Sequence, residues 1–113
     1  MKDARSLRIT ESELQQRLGE DDVRVIDARP PADYTAGHIT GAVSVPFYRV
    51  DDAVPFLPED AWLIAYCGCP HALSGDVAEQ LAELGFDRVA VLDEGWFDWV
   101  AGGHPTTEGP SQY

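Results

Sequence analysis

The chain has 113 residues, 44% of them apolar and 25% charged, which is the composition of one globular domain with a single core. Its 20 acidic residues against 8 basic ones give a net charge of −12. So acidic a surface repels phosphate backbones and anionic headgroups, which argues against nucleic acid and membrane surfaces as partners.

No apolar run approaches the ~18 residues that span a bilayer, and Met1-Lys2-Asp3-Ala4-Arg5 leads into polar sequence without the apolar stretch of a signal peptide. The two cysteines, Cys67 and Cys69, stand one residue apart, and a disulfide between them would close an awkwardly small ring. A soluble, cytoplasmic domain is the expectation.

In chain order, Thr10 with Glu13 three residues later forms a capping-box pattern. Leu14, Arg17 and Leu18 continue an amphipathic helix that Gly19 stops. Residues 23–27 form a β-branched strand, ended by Pro30-Pro31, and Pro31 opens a first helical turn. Gly37 and Gly41 bracket His38-Ile39-Thr40 in a tight loop, and a second strand over residues 42–45 stops at Pro46. Residues 47–60 carry Pro55 and Pro58 and read as a short helix or an irregular crossover.

Residues 62–66 are almost continuously apolar, as a central strand covered on both faces requires. Leu73, Val77, Leu81 and Leu84 then make one helical stripe over about residues 72–84, terminated by Gly85. A fourth strand at residues 89–92 and a short helix at 96–101 follow. From Gly102 the composition turns to Gly, Pro, Ser and Thr. The division expected is one domain over residues 1–105 and a flexible tail over 106–113.

Alternating strands and helices predict an α/β domain with a small, mostly parallel sheet flanked by helices. Ligands of such sheets sit beyond the carboxyl ends of the strands, which selects the turn from Tyr66 to Ser74. In that turn, successive backbone N–H groups and the start of the next helix can form an anion cradle. A thiolate of Cys67 at its base is an anion it would stabilise, and is both nucleophile and sulfur carrier. The other reading of Cys67 is a small buried hydrophobe.

Four stretches together resemble the rhodanese (sulfurtransferase) domain family. They are Val25-Ile26-Asp27-Ala28-Arg29; Asp33-Tyr34 with Gly37-His38-Ile39-Thr40-Gly41-Ala42 and Pro46; Tyr66-Cys67 with Leu81 and Gly85-Phe86; and Leu92, Gly95, Trp99 and Pro105. The resemblance spans about residues 9–105. It implies a catalytic cysteine at Cys67 and an anion-binding loop of Gly68, Cys69, Pro70, His71, Ala72 and Leu73. It implies sulfane-sulfur transfer through a persulfide, from thiosulfate or a persulfide donor to a thiol or a protein acceptor, with no metal or organic cofactor.

The loop departs from the common Cys-x-x-Gly-x-Arg-Ser pattern, with Pro70 at the glycine position and Ala72 at the arginine position. Cys67-Gly68-Cys69-Pro70 with Ser74 is similar to a Cys-x-Cys-Pro variant of the family. The spacing from Cys67 to Gly85-Phe86 is one residue longer than in the common pattern and resembles phosphatase and arsenate-reductase relatives, but their Cys-x₅-Arg arginine is Leu73 here, and losing a bidentate guanidinium ranks those chemistries lower. The missing arginine and glycine keep open a non-catalytic binding or regulatory module.

Cys69 is a candidate resolving thiol, or simply fits the loop. Cys67, Cys69 and His71 crowd three zinc-type ligands into five residues without a fourth, so no metal site is expected. His71 is placed to favour a thiolate or contact an anion, or to face solvent. His38 reads as a structural hydrogen-bonding residue. Asp27 and Arg29 are supporting residues, either bracing the active-site loop or forming a plain ion pair. Trp62, Trp96 and Trp99 read as packing.

Overall fold

A computed structural model describes residues 8–68 and 72–110. Its five-stranded sheet has the order β1-β6-β5-β2-β4, and every pairing in it is parallel. The strands are β1 (Arg8–Ile9), β2 (Val23–Asp27), β4 (Val43–Ser44), β5 (Trp62–Tyr66) and β6 (Val89–Leu92). The helices are α1 (Glu11–Arg17), α2 (Pro31–Ala36), α3 (Val50–Ala53), α4 (Ala72–Glu83) and α5 (Trp96–Ala101).

The middle strand, β5, is buried on both faces, and this explains its unbroken apolar sequence. Leu63, Ala65 and Cys67 face the side that packs Val50 and Ala53 of α3 and Val77 and Leu81 of α4. Ile64 and Tyr66 face the opposite side, with Leu14 of α1, Tyr34 of α2 and Trp99 of α5. The two-residue period of the strand thus divides one sheet between two cores.

The capping box at the start of α1 is present: Thr10 Oγ1 accepts from the Glu13 N–H, and Glu13 accepts from the Thr10 N–H. Four local expectations differ in the structure. Residues 8–9 form β1, a strand too short to show periodicity and fixed by its pairing with β6. His38–Ile39, expected in a loop, form β3, antiparallel to β7 (Thr106–Thr107). Thr106 and Thr107, whose composition assigns them to the tail, are therefore paired, and the Pro105 carbonyl accepts from Trp99 Nε1.

Leu84, expected on the buried stripe, is 49% exposed. The helix stops one residue before it, and Gly85 takes φ +104, a left-handed conformation that favours glycine. The Phe86 N–H bonds back to the Leu81 carbonyl, and Phe86 fills the core in place of Leu84.

Residues 47–60 contain α3 followed by a 3₁₀ turn at Val54–Phe56, as a short helical crossover. This segment carries the chain from edge strand β4 over β2 to β5. The sheet consequently has a switch point: β2 leads outward to β4, whereas β5 leads the other way to β6. Connections that diverge from adjacent parallel strands leave a crevice at their carboxyl ends. Residues 28–29 and 67–68 emerge there side by side, with the Ala28 N–H bonded to the Tyr66 carbonyl at 2.9 Å.

Candidate functional site

Cys67 directly follows β5 and is 1% exposed, within the core on the α4 side. Its Sγ donates to Ser74 Oγ at 3.5 Å, so the first turns of α4 meet the thiol. Its backbone carbonyl accepts from the Trp96 N–H at 2.9 Å, which ties the end of β5 to the start of α5. Gly95 makes that approach possible. A Cβ there would lie 2.7 Å from the Gly68 carbonyl oxygen and 3.1 Å from that of Cys67.

On the other side of the switch point, Arg29 and Asp27 form a buried ion pair with Nη2 to Oδ2 at 2.7 Å. Two residues apart on an extended chain, they point to the same face, so the carboxylate also accepts the Arg29 backbone N–H at 2.9 Å and Nε at 3.0 Å. Tyr66 Oη donates to Asp27 Oδ2 at 2.7 Å and accepts the Ile39 N–H at 3.1 Å. Arg29 Nη2 reaches the Gly37 carbonyl at 2.6 Å. These bonds satisfy groups whose burial alone would be costly.

Burial pulls the Arg29 pKa down, but the hydrogen bonds and charge of Asp27 outweigh it and leave a firmly protonated guanidinium. Burial, with the Asp27 charge beside it, raises the Tyr66 phenol well above its ordinary value, so it stays protonated and donates. The guanidinium carbon of Arg29 lies 4.6 Å from the centroid of the Trp96 ring, a cation–π contact. Arg29 thus bridges the β2 end of the crevice to α5.

A cavity of about 560 Å³ opens at this place. Arg29, Gly37 and Gly68 line it, Trp96, Phe97, Leu73, Pro30 and Ala36 give it apolar walls, and Asp33 adds a carboxylate. Phe97 is 71% exposed and stands at the mouth.

Of the loop residues expected to bind an anion, Gly68 and Leu73 line the cavity and Ala72 opens α4. Cys69, Pro70 and His71 lie outside the described residues, as do Met1 to Arg5. His38 is buried, stacks on Tyr34 and has Nδ1 2.8 Å from the Tyr34 carbonyl oxygen, a structural position. His104 packs on Trp99 and lies near Glu11 and Gln15, away from the crevice. Trp99 is core packing, but Trp96 and Phe97 belong to the cavity, which sequence reading missed. Their one local signal is an aromatic pair directly after Gly95.

Among the described residues, no helix is long and apolar enough to cross a membrane.

Among known proteins, the chain is 34% identical over 89% of its length to an HTH-type transcriptional regulator of Mycobacterium tuberculosis, of which the match covers 45%. It is 31% identical over 86% of its length to a sulfurtransferase of Allochromatium vinosum, of which the match covers 91%. The chain thus spans less than half of the first relative and nearly all of the second. In structure it is similar to the BH2092 protein of Bacillus halodurans, with a TM-score of 0.84 and 26% identity over 91% of this chain and 77% of that one. The rhodanese-like domain model matches residues 10–102, and the chain belongs to the rhodanese-like domain family.

Proposed function

We propose that this domain carries sulfane sulfur on Cys67. The observation that carries the reading is the position of that cysteine: it leaves the central parallel strand at the switch point, before the N-terminus of α4, and its neighbour Gly68 lines a ligand-sized cavity. In the first half-reaction the Cys67 thiolate attacks the outer sulfur of thiosulfate, forming the Cys67 persulfide and releasing sulfite with the electron pair of the broken S–S bond. In the second, an acceptor thiolate attacks the outer sulfur of that persulfide and Cys67 leaves as thiolate. Ser74 Oγ, 3.5 Å from Sγ, is positioned to donate to either thiolate.

The sulfurtransferase of Allochromatium vinosum and thiosulfate sulfurtransferases of Pseudomonas, 31–36% identical, support this chemistry. Leu73 at the cavity wall weighs against phosphate or arsenate chemistry, because no guanidinium stands where a Cys-x₅-Arg loop needs one. Cys69 is the candidate resolving thiol of the same cycle, within a cytoplasmic protein acting on small sulfur donors and thiols.

A second reading is a binding or regulatory module. It is favoured by the 1% exposure of Cys67 and by the relative named as a transcriptional regulator. Intact mass after anaerobic incubation with thiosulfate, and separately with a small persulfide donor, decides between them. Gain of one sulfur atom that vanishes only in Cys67→Ser supports the carrier. Absence of any adduct on reduced protein supports the module.

A further inference from the structure

We infer that the cavity lined by Gly68, the residue that follows Cys67, receives the sulfur acceptor, and that this acceptor is an organic thiol with an apolar or aromatic body and a positive charge. The inference rests on the sulfur-transfer reading and adds the class of the second substrate.

Size is the first ground. A cavity of about 560 Å³ is of the order that holds an organic molecule, whereas a sulfur oxyanion of a few heavy atoms would fill only a corner of it. Wall chemistry is the second. Leu73, Trp96 and Phe97 offer apolar and aromatic surface, and 71% of Phe97 is left uncovered at the mouth. An aromatic or aliphatic body covering that ring gains burial energy that a small hydrophilic anion does not.

Charge is the third ground. Among the described residues of the wall the one cation is Arg29, which is held by Asp27 at 2.7 Å, stacks on Trp96 and already donates to the Gly37 carbonyl. Little of its field is left for a ligand. Asp33, by contrast, brings a carboxylate to the cavity with no ion-pair partner among the described residues. The surrounding net charge of −12 has the same sign. An ammonium group near Asp33 and the Phe97 ring is attracted by both, and a carboxylate or sulfonate is repelled.

In the transfer step the acceptor thiolate, R–S⁻, attacks the outer sulfur of the Cys67 persulfide. The new bond is R–S to sulfur, and the bond that breaks joins that sulfur to Cys67 Sγ. The product is R–S–S⁻, and the electron pair returns to the Cys67 thiolate, so no outside oxidant or reductant is needed.

The test uses two acceptors with the same ring and opposite charge, 4-(aminomethyl)benzenethiol and 4-mercaptobenzoate, offered to protein first loaded with sulfur at Cys67. The expected result is kcat/KM about three- to five-fold higher for the ammonium thiol, the size of one screened charge pair, with the difference carried by KM. Asp33→Asn should erase that preference, and Phe97→Ala should raise KM for both rings. Equal or reversed preference in the parent protein overturns the inference while leaving sulfur loading intact. Failure to load Cys67 at all overturns the underlying reading instead. In that event benzylamine and benzoate, titrated against the amide resonances of Gly37 and Gly68, still test the pocket: shifts with benzylamine alone uphold its selectivity, and shifts with benzoate alone or with neither overturn it.

Discussion

The Trp96 N–H donates to the Cys67 carbonyl at 2.9 Å, so the residue that opens α5 also fixes the backbone of the reactive cysteine. The contact depends on two turns touching closely, and Gly95 is the point of touch. Trp96 meanwhile stacks on Arg29, which Asp27 anchors. The ends of β5, β6 and β2 are thereby locked into one unit.

Gly95→Ala should separate those turns. Its Cβ would sit 2.7 Å from a carbonyl oxygen, and backbone cannot yield as a side-chain tip can. The expected cost is about 1–3 kcal/mol in urea unfolding. In a Cys69→Ser background, alkylation of Cys67 should become faster as its 1% exposure rises. An unchanged alkylation rate would show that the Trp96 bond does not hold the cysteine turn.

Asp27→Ala should destabilise the fold by about 3–5 kcal/mol, because it leaves the Arg29 guanidinium buried without its counterion. Replacing both residues, as Asp27→Ala with Arg29→Met, should recover part of that loss relative to the sum of the two single substitutions. Chemical denaturation of the two single variants and the double variant measures the coupling, and additive losses would argue against a tightly joined pair.

Tyr66 predicts a loss of stability in alkali. Its folded pKa is raised above the ordinary phenol value, first by burial and then by the Asp27 charge. Its contribution is therefore whole below about pH 10 and declines above that, where the unfolded phenol ionises and the folded one does not. The slope should approach about 1.4 kcal/mol per pH unit, and Tyr66→Phe should flatten it. Urea midpoints between about pH 9 and 11 in the two proteins are the check.

Ser74→Ala removes the hydroxyl that meets Cys67 Sγ. Stability should change by about 1 kcal/mol, the ordinary worth of one hydrogen bond. Persulfide loading should slow by about tenfold if the hydroxyl supports the thiolate as a charge-assisted donor. Stopped reactions read by intact mass give the rate, and parity with the parent would assign Ser74 to packing.

Features set by neighbouring residues were legible in the sequence. The Thr10–Glu13 capping box, the Gly85 stop and the unbroken apolar run of β5 are each written within a few positions. The Asp27–Arg29 pair was also within reach, since a spacing of two on an extended chain sets both on one face. What distant segments impose was not. β1, β3 and β7 are two residues each and exist through their partners. Leu84 fitted the helical stripe but fell outside the last turn. The pairing of Arg29 with Trp96 joins elements from opposite halves of the chain, and no local pattern announces it.

The parallel register of Arg8 with Val91 and of Ile9 with Leu92 has a consequence for biogenesis. A nascent chain presents Cys67 to solvent before β6 and Trp96 have left the ribosome to complete the sheet and bind its carbonyl. Sheets that close through such remote contacts form slowly, and the thiol stays open to oxidants throughout. Newly made protein is thus the form in which this cysteine is most exposed, and completion of the sheet buries it to 1% exposure.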